Sequence, residues 1–242
     1  MPYRRLPNTD SARLKALKTA LAKGKDLPPF KLAYQQGTLQ KIQALLPSYE
    51  HALSEHKASY NLQIEKSKDF NKAMKKARLY ITHFIQVINM AITRGELPLS
   101  TKDYFSLEKD ERKLPNLSTE EEIAEWAEIL IQGESKRRME GKSPITNPTI
   151  AVVKVQTDTF KDSKVYQDSL RKRYQRAQDS LNARREEADN LIQKLWNEVE
   201  ETFKDLPEDF RREKSSEYGV VYVYRKNELG QKLLRPPQVE IG

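Results

Sequence analysis

His51, His56 and His83 are the only histidines in the chain. In the stretch EHALSEH, residues 50–56, His51 and Glu55 stand four apart on one face of a helix. That spacing suits an ion pair or two ligands of a metal. A di-metal helical bundle needs Glu-x-x-His on facing helices, and no Glu here precedes a His by three residues. The spacing therefore favours a solvated pair, with His56 as a polar core residue. Cysteine is absent, which excludes disulfides, thiolate metal sites and a cysteine nucleophile. Gly-Lys occurs in KGKDLPP and EGKSPIT, but neither has the upstream glycine and following helix of a phosphate loop. No G-x-S-x-G elbow occurs. The carboxylates of STEEE and RREEAD lie among opposite charges and read as solvated helix faces. No catalytic set, metal site or cofactor emerges, and the expectation is a protein that is not an enzyme.

Cations are the better lead. Lys66, Lys68, Lys72, Lys75, Lys76 and Arg78 crowd one segment, and Arg171, Lys172, Arg173 and Arg176 crowd another. Residues 1–94 carry 17 Lys and Arg against 6 Asp and Glu, whereas residues 95–135 carry 4 against 11. The basic part either pairs with the acidic part inside the fold or faces an anionic partner. A site for a polyanion would comprise Lys68, Lys72, Lys75, Lys76, Arg171, Lys172, Arg173 and Arg176, with Tyr174 as a stacking group.

The elements that must position these residues are helical. Charged residues reach 32% while hydrophobic ones stop at 37%, a balance that suits long helices burying narrow stripes. Asn8, Thr9 and Asp10 can cap a short helix over about 10–23, with Leu14, Leu17 and Leu21 on one face and Gly24 closing it. Pro28 and Pro29 mark a connector. From about 38 to 94, Leu46, Leu53, Tyr60, Ser67, Met74, Ile81 and Ile88 recur every seven residues. Ile42, Tyr49, His56, Gln63, Phe70, Ala77, Phe84 and Ala91 interleave with them. That is a coiled-coil-like seam, polar in its middle. Pro47 is expected to kink it. Residues 95–117 cross irregularly, anchored by Tyr104, Phe105 and Leu107. A third helix, about 119–140, follows Ser118, whose pairing with Glu121 makes a capping box.

NPTIAVVKVQTDTF, residues 147–160, is ambiguous: its β-branched run suits a strand or the start of a helix. Asn147 as N-cap, Pro148 at the first position and apolar residues at three- and four-residue steps to Phe203 favour one helix over about 148–205. A short strand ahead of the helix is the alternative. The first turns are apolar on several sides and are expected to be covered on several sides. Two long helices joined by a returning segment should pack antiparallel. With Arg94 level with Pro148, Phe84 would meet Phe160 and Phe70 would meet Arg173, merging the two basic clusters into one belt. The tail, 211–242, alternates Tyr218, Val220, Tyr222 and Tyr224, turns at KNELG and returns in QKLLR, a small β-hairpin. Such a hairpin must dock on something, and Tyr218, Tyr222 and Tyr224 are candidate partner-docking residues.

MPYRRLPNTDSARLKAL, HFIQVINMAITRGE, NLSTEEEIAEWAE and NPTIAVVKV together resemble an uncharacterised family of bacterial helical proteins. The resemblance spans most of the chain and implies a helical fold and a cytoplasmic bacterial setting, with no activity and no assigned site residues. The first ten residues lack the apolar run of a secretory signal, and no apolar stretch reaches the roughly 20 residues of a membrane helix.

The fold expected is mainly α: an elongated antiparallel hairpin of long helices with shorter helices in residues 1–210, followed by the β-hairpin and tail. The function expected is a structural or protein-interaction protein, an adaptor or assembly factor. Its partner would be another protein or a second copy of itself. Polyanion or nucleic-acid binding is the alternative.

Overall fold

A computed structural model describes residues 3–108 and 114–224. Five α-helices are described: α1 (Asp10–Asp26), α2 (Gln36–Thr93), α3 (Glu120–Met139), α4 (Ile150–Thr202) and α5 (Glu208–Ser216). Strands β1 (Tyr3–Arg4) and β2 (Tyr222–Val223) form a small antiparallel sheet, and a 3-10 turn spans Leu99–Phe105. The mainly α architecture with two long packed helices is as the periodicity predicts. The chain divides into two compact units, Met1–Ala58 with Gln175–Gly242 and Ser59–Tyr174.

The helix ends follow local chemistry. Thr9 caps α1, accepting from the Ala12 amide at 3.2 Å. Gly24 does not close α1, which runs on to Asp26. A Cβ on Gly24 would lie 2.7 Å from the Tyr34 hydroxyl, so glycine is there for packing. The capping box of α3 forms one residue later than expected, between Thr119 and Glu122. STEEE contains two overlapping boxes, and the Ser118 hydroxyl is diverted to Asn116 at 2.6 Å. The ambiguous stretch is helical from Ile150. Asn147 is not its cap. It adopts φ 56° before a cis Pro148, and the Thr149 carbonyl accepts the first helical bonds, from the Val152 and Val153 amides.

In the first unit, α1 and the ends of α2 and α4 enclose a core that includes Leu17, Ile42, Tyr49, Leu195 and Trp196, all fully buried. The two long helices run antiparallel here: Thr38 donates to Glu198 at 3.0 Å, and His56 bonds Gln178 at 2.7 Å. A polar clasp closes one side. Asp10 accepts from Tyr49 at 2.8 Å and from both nitrogens of an Arg185 fork at 2.8 and 2.7 Å. Arg13 forks onto Asp189 at 2.7 and 2.8 Å. The Arg185 fork holds the Asp10 carboxyl below the ordinary carboxylate range.

In the second unit, Phe84, Ile85 and Ile88 of α2 are fully buried with Phe105, Ile123 and Leu130. Fully burying side chains of this size is worth about 1.5–3 kcal/mol each. Gly133 of α3 sits against the Tyr104 carbonyl and the Phe105 ring, where any Cβ would collide. The antiparallel register differs from the one expected. Phe160 packs on Phe70, with ring centroids 5.8 Å apart, rather than on Phe84, and Tyr174 packs on Tyr60 at 5.9 Å. The shift is roughly ten residues, or about 15 Å along a helix. Its cause is the crossing segment. Phe84 is taken by Phe105, at 5.8 Å, so the last turns of α2 pack on the 3-10 turn and α3.

Candidate functional site

The polyanion set is the first to place. The new register separates its two clusters. Lys68, Lys72, Lys75 and Lys76 flank Phe70, which is level with Phe160, while Arg171, Lys172 and Arg173 lie more than ten residues further along α4. No single belt forms. Arg171 is already paired with Asp168 at 3.3 Å. Arg176 falls in the other unit. Tyr174 is half-buried against Tyr60. The acidic middle of the chain finds its cations on α4: Lys164 lies 2.9 Å from Glu120 and 3.2 Å from Glu121, and Lys161 lies 4.0 Å from Glu128. These pairs leave the lysines of α2 unused.

Those lysines keep one face to themselves. Lys68, Asn71, Lys72, Lys75, Lys76 and Leu79 line an open depression of about 340 Å³ on α2. All four lysines are exposed, and none has a carboxylate partner among the described residues. Lys66, turned aside on the same helix, lies 3.2 Å from both Glu65 and Asp69.

Of the tail tyrosines, Tyr218 goes to the core and Tyr222 packs partly buried against it. β2 pairs with β1, setting Tyr3 against Val223 and Arg4 against Tyr222, and the Arg5 amide donates to Val221 at 2.9 Å. Residues 211–216, expected in the tail, belong to α5. Tyr218 is 4% exposed, edge-on to Tyr34 at 6.0 Å and against Phe203 at 6.0 Å, with the Lys23 ammonium over its ring. Tyr218 is therefore a core residue and not an exposed docking group. Tyr222 is half-buried and donates to Glu200 at 2.6 Å; burial and that carboxylate push its phenol up to about 12. Tyr224 is also half-buried. KNELG and QKLLR lie outside the described residues. Among the histidines, His56 bonds Gln178, and Glu50, beside His51, pairs with Lys18 at 2.7 Å.

One surface was not foreseen. Ile131, Ser135, Arg138 and Met139 of α3 and Ile150, Ala151 and Lys154 of α4 line a groove of about 480 Å³. Met139 is 83% exposed. Val152 and Val155 are also exposed, so the start of α4 is covered on fewer sides than its apolar run suggests. The groove walls are firmly set. Glu134 and Arg137, both buried, form a 2.7 Å pair, and Glu134 also accepts from the Ile145 amide at 2.8 Å while Arg137 donates to the Ser143 carbonyl at 3.3 Å. That clasp ties the chain after α3 back onto α3. Arg138 and Lys154, both exposed, line it with no carboxylate partner among the described residues. The signal in the sequence was the surplus of apolar residues in NPTIAVVKV over what one helix face can bury.

Comparison with protein-family models, with curated proteins and with solved structures finds no match. The class is set by the fold itself: a mainly α protein with two long packed helices, closed by shorter helices and a small sheet. No helix among the described residues is long and apolar enough to cross a membrane.

Proposed function

We propose that the protein is a non-enzymatic interaction protein, an adaptor or assembly factor of the cytoplasm, that holds a partner in the groove between α3 and α4. The observation that supports this reading is a groove lined by the apolar Ile131, Met139, Ile150 and Ala151 together with Arg138 and Lys154, two cations with no carboxylate partner among the described residues. An amphipathic helix is the natural occupant of such a groove, laying spaced apolar anchors into it. The cations set the sign of its flanks: the partner carries Asp or Glu beside the anchors, since like charges there are repelled. Exposed apolar side chains with polar neighbours are also the usual anatomy of a recognition surface.

The test is selection of helical peptides from a displayed library on the full chain. Binders should be enriched in apolar residues at helical spacing with acidic neighbours, and Met139→Asp should weaken them at least tenfold while leaving helicity unchanged. If the selected peptides bind the Met139→Asp variant as well as the wild type, the groove is not the docking site. A light-scattering mass above 28.2 kDa that falls to the monomer value in Met139→Asp would identify the partner as a second copy of the chain.

A further inference from the structure

We infer that the lysine face of α2 is a second binding site, for the phosphate backbone of double-stranded nucleic acid. It shares no residue with the groove and does not depend on it. Lys68, Lys72 and Lys76 stand one above another at i, i+4 and i+8, about 6 Å apart along the axis, with Lys75 beside them. Like charges at that spacing repel and destabilise a helix. Several cations elsewhere in the fold are relieved. Arg4, Arg13, Lys18, Lys23, Lys66, Lys164 and Arg185 all have a carboxylate within 3.2 Å. On this face four exposed ammonium groups stand together with no carboxylate partner among the described residues, and an anion with regularly spaced charges would relieve all four.

The neighbours of the lysines choose the class of anion. Asn71 and Leu79 are the other two groups lining the depression. A membrane surface requires a broad apolar face beside the cations, and one leucine does not supply it. A single-stranded nucleic acid is held by aromatic platforms for its bases, and the depression holds no aromatic side chain. Long, flexible lysine arms on a straight helix match the remaining ligand, the phosphates of a duplex, read without regard to sequence.

Fluorescence anisotropy of the full chain with a labelled duplex tests this. Four neutralised phosphates give a slope of log affinity against log salt of about −3.6, so affinity should fall about 100-fold between 50 and 200 mM salt. Changing Lys72 and Lys76 to Gln should halve that slope with helicity unchanged by circular dichroism. A single strand of equal length and vesicles of anionic phospholipid should both bind more weakly. No duplex binding at the lower salt, an unchanged slope in the double variant, or tighter binding to the strand or the vesicles would each overturn the assignment. None of these outcomes touches the peptide-binding groove, which Met139→Asp tests separately.

Discussion

The two units are built from the same pair of long helices, yet they close their cores in different ways. In the first, both ends of the described chain return to the core: α1 supplies Leu17, the tail supplies Tyr218 and Val220, and β1 locks β2 in place. Forked ion pairs far apart in sequence tie its helices together, Asp10–Arg185 and Arg13–Asp189. In the second, a 3-10 turn and α3 close the core over α2, and the surface keeps an apolar groove and an unpaired lysine face. Both units hold internal ion pairs, but the lysine face and the apolar groove both lie in the second. Recognition is therefore to be sought in the second unit and stability in the first.

The strongest way to break that contrast is to empty the first core. Trp196 is fully buried, and Trp196→Ala should cost about 3–5 kcal/mol. Hydrogen exchange should show protection lost first in 3–58 and 175–224. Equal and simultaneous loss in 59–108 and 114–174 would mean that the units do not stabilise themselves separately. In the second unit, Arg137→Met strands Glu134 in the interior without its cation. Breaking a buried pair in this way costs about 3–5 kcal/mol. Denaturant unfolding measures the loss, and the Ile145 amide should exchange faster because its acceptor, Glu134, is no longer fixed.

How much of this was legible follows from what kind of information each feature needs. The helices were legible because their seams are local and periodic. Ile42, Tyr49, Phe70, Ala77, Phe84 and Ala91, read at seven-residue steps, are all buried. The register was not, since a seam records that it is filled but not by what. Phe84 looks the same in sequence whether it meets Phe160 or Phe105. The tail repeated that problem. Its alternation announced a strand, but the partner is Tyr3–Arg4, two residues with no periodic signature of their own. Of the candidate sites, the lysine face was legible from i, i+4 spacing within one helix. Its merger with Arg171–Arg173 depended on the register and failed with it. The groove requires two helices to come together, and only the excess apolar residues around Ile150 hinted at it.

Alkaline pH sharpens the comparison through the phenols of the first unit. Burial pushes Tyr34 up to about 12, and burial with the Glu200 hydrogen bond does the same to Tyr222; Tyr49, buried and donating to Asp10, is raised as well. A phenol whose pKa is higher folded than unfolded contributes stability that is fully present below the unfolded value of about 10. That contribution is lost as pH rises toward the folded value. The first unit should accordingly loosen between about pH 10 and 12, with phenolate absorbance appearing together with loss of exchange protection in 3–58 and 175–224. Ionisation of Tyr34 and Tyr222 at the value of free tyrosine, with the fold intact, would show that these side chains are open to solvent.

The smallest effect separates a binding surface from a merely solvated one. Lys72 lies three or four residues from Lys68, Lys75 and Lys76 and three from Asp69, so Lys72→Glu turns three repulsive pairs attractive and one attractive pair repulsive, a net gain. Each such pair is worth about 0.2–0.5 kcal/mol on an exposed helix, and the sign is stabilising. Thermal unfolding at low salt should rise slightly in the variant, and the gain should shrink in high salt as screening removes both terms. The same substitution should weaken duplex binding. A gain in stability accompanied by a loss of binding is the mark of residues kept for a ligand at the expense of the helix. A variant that is less stable than the wild type would show instead that Lys72 is held by the fold, and the lysine face would lose its claim as an unpartnered surface.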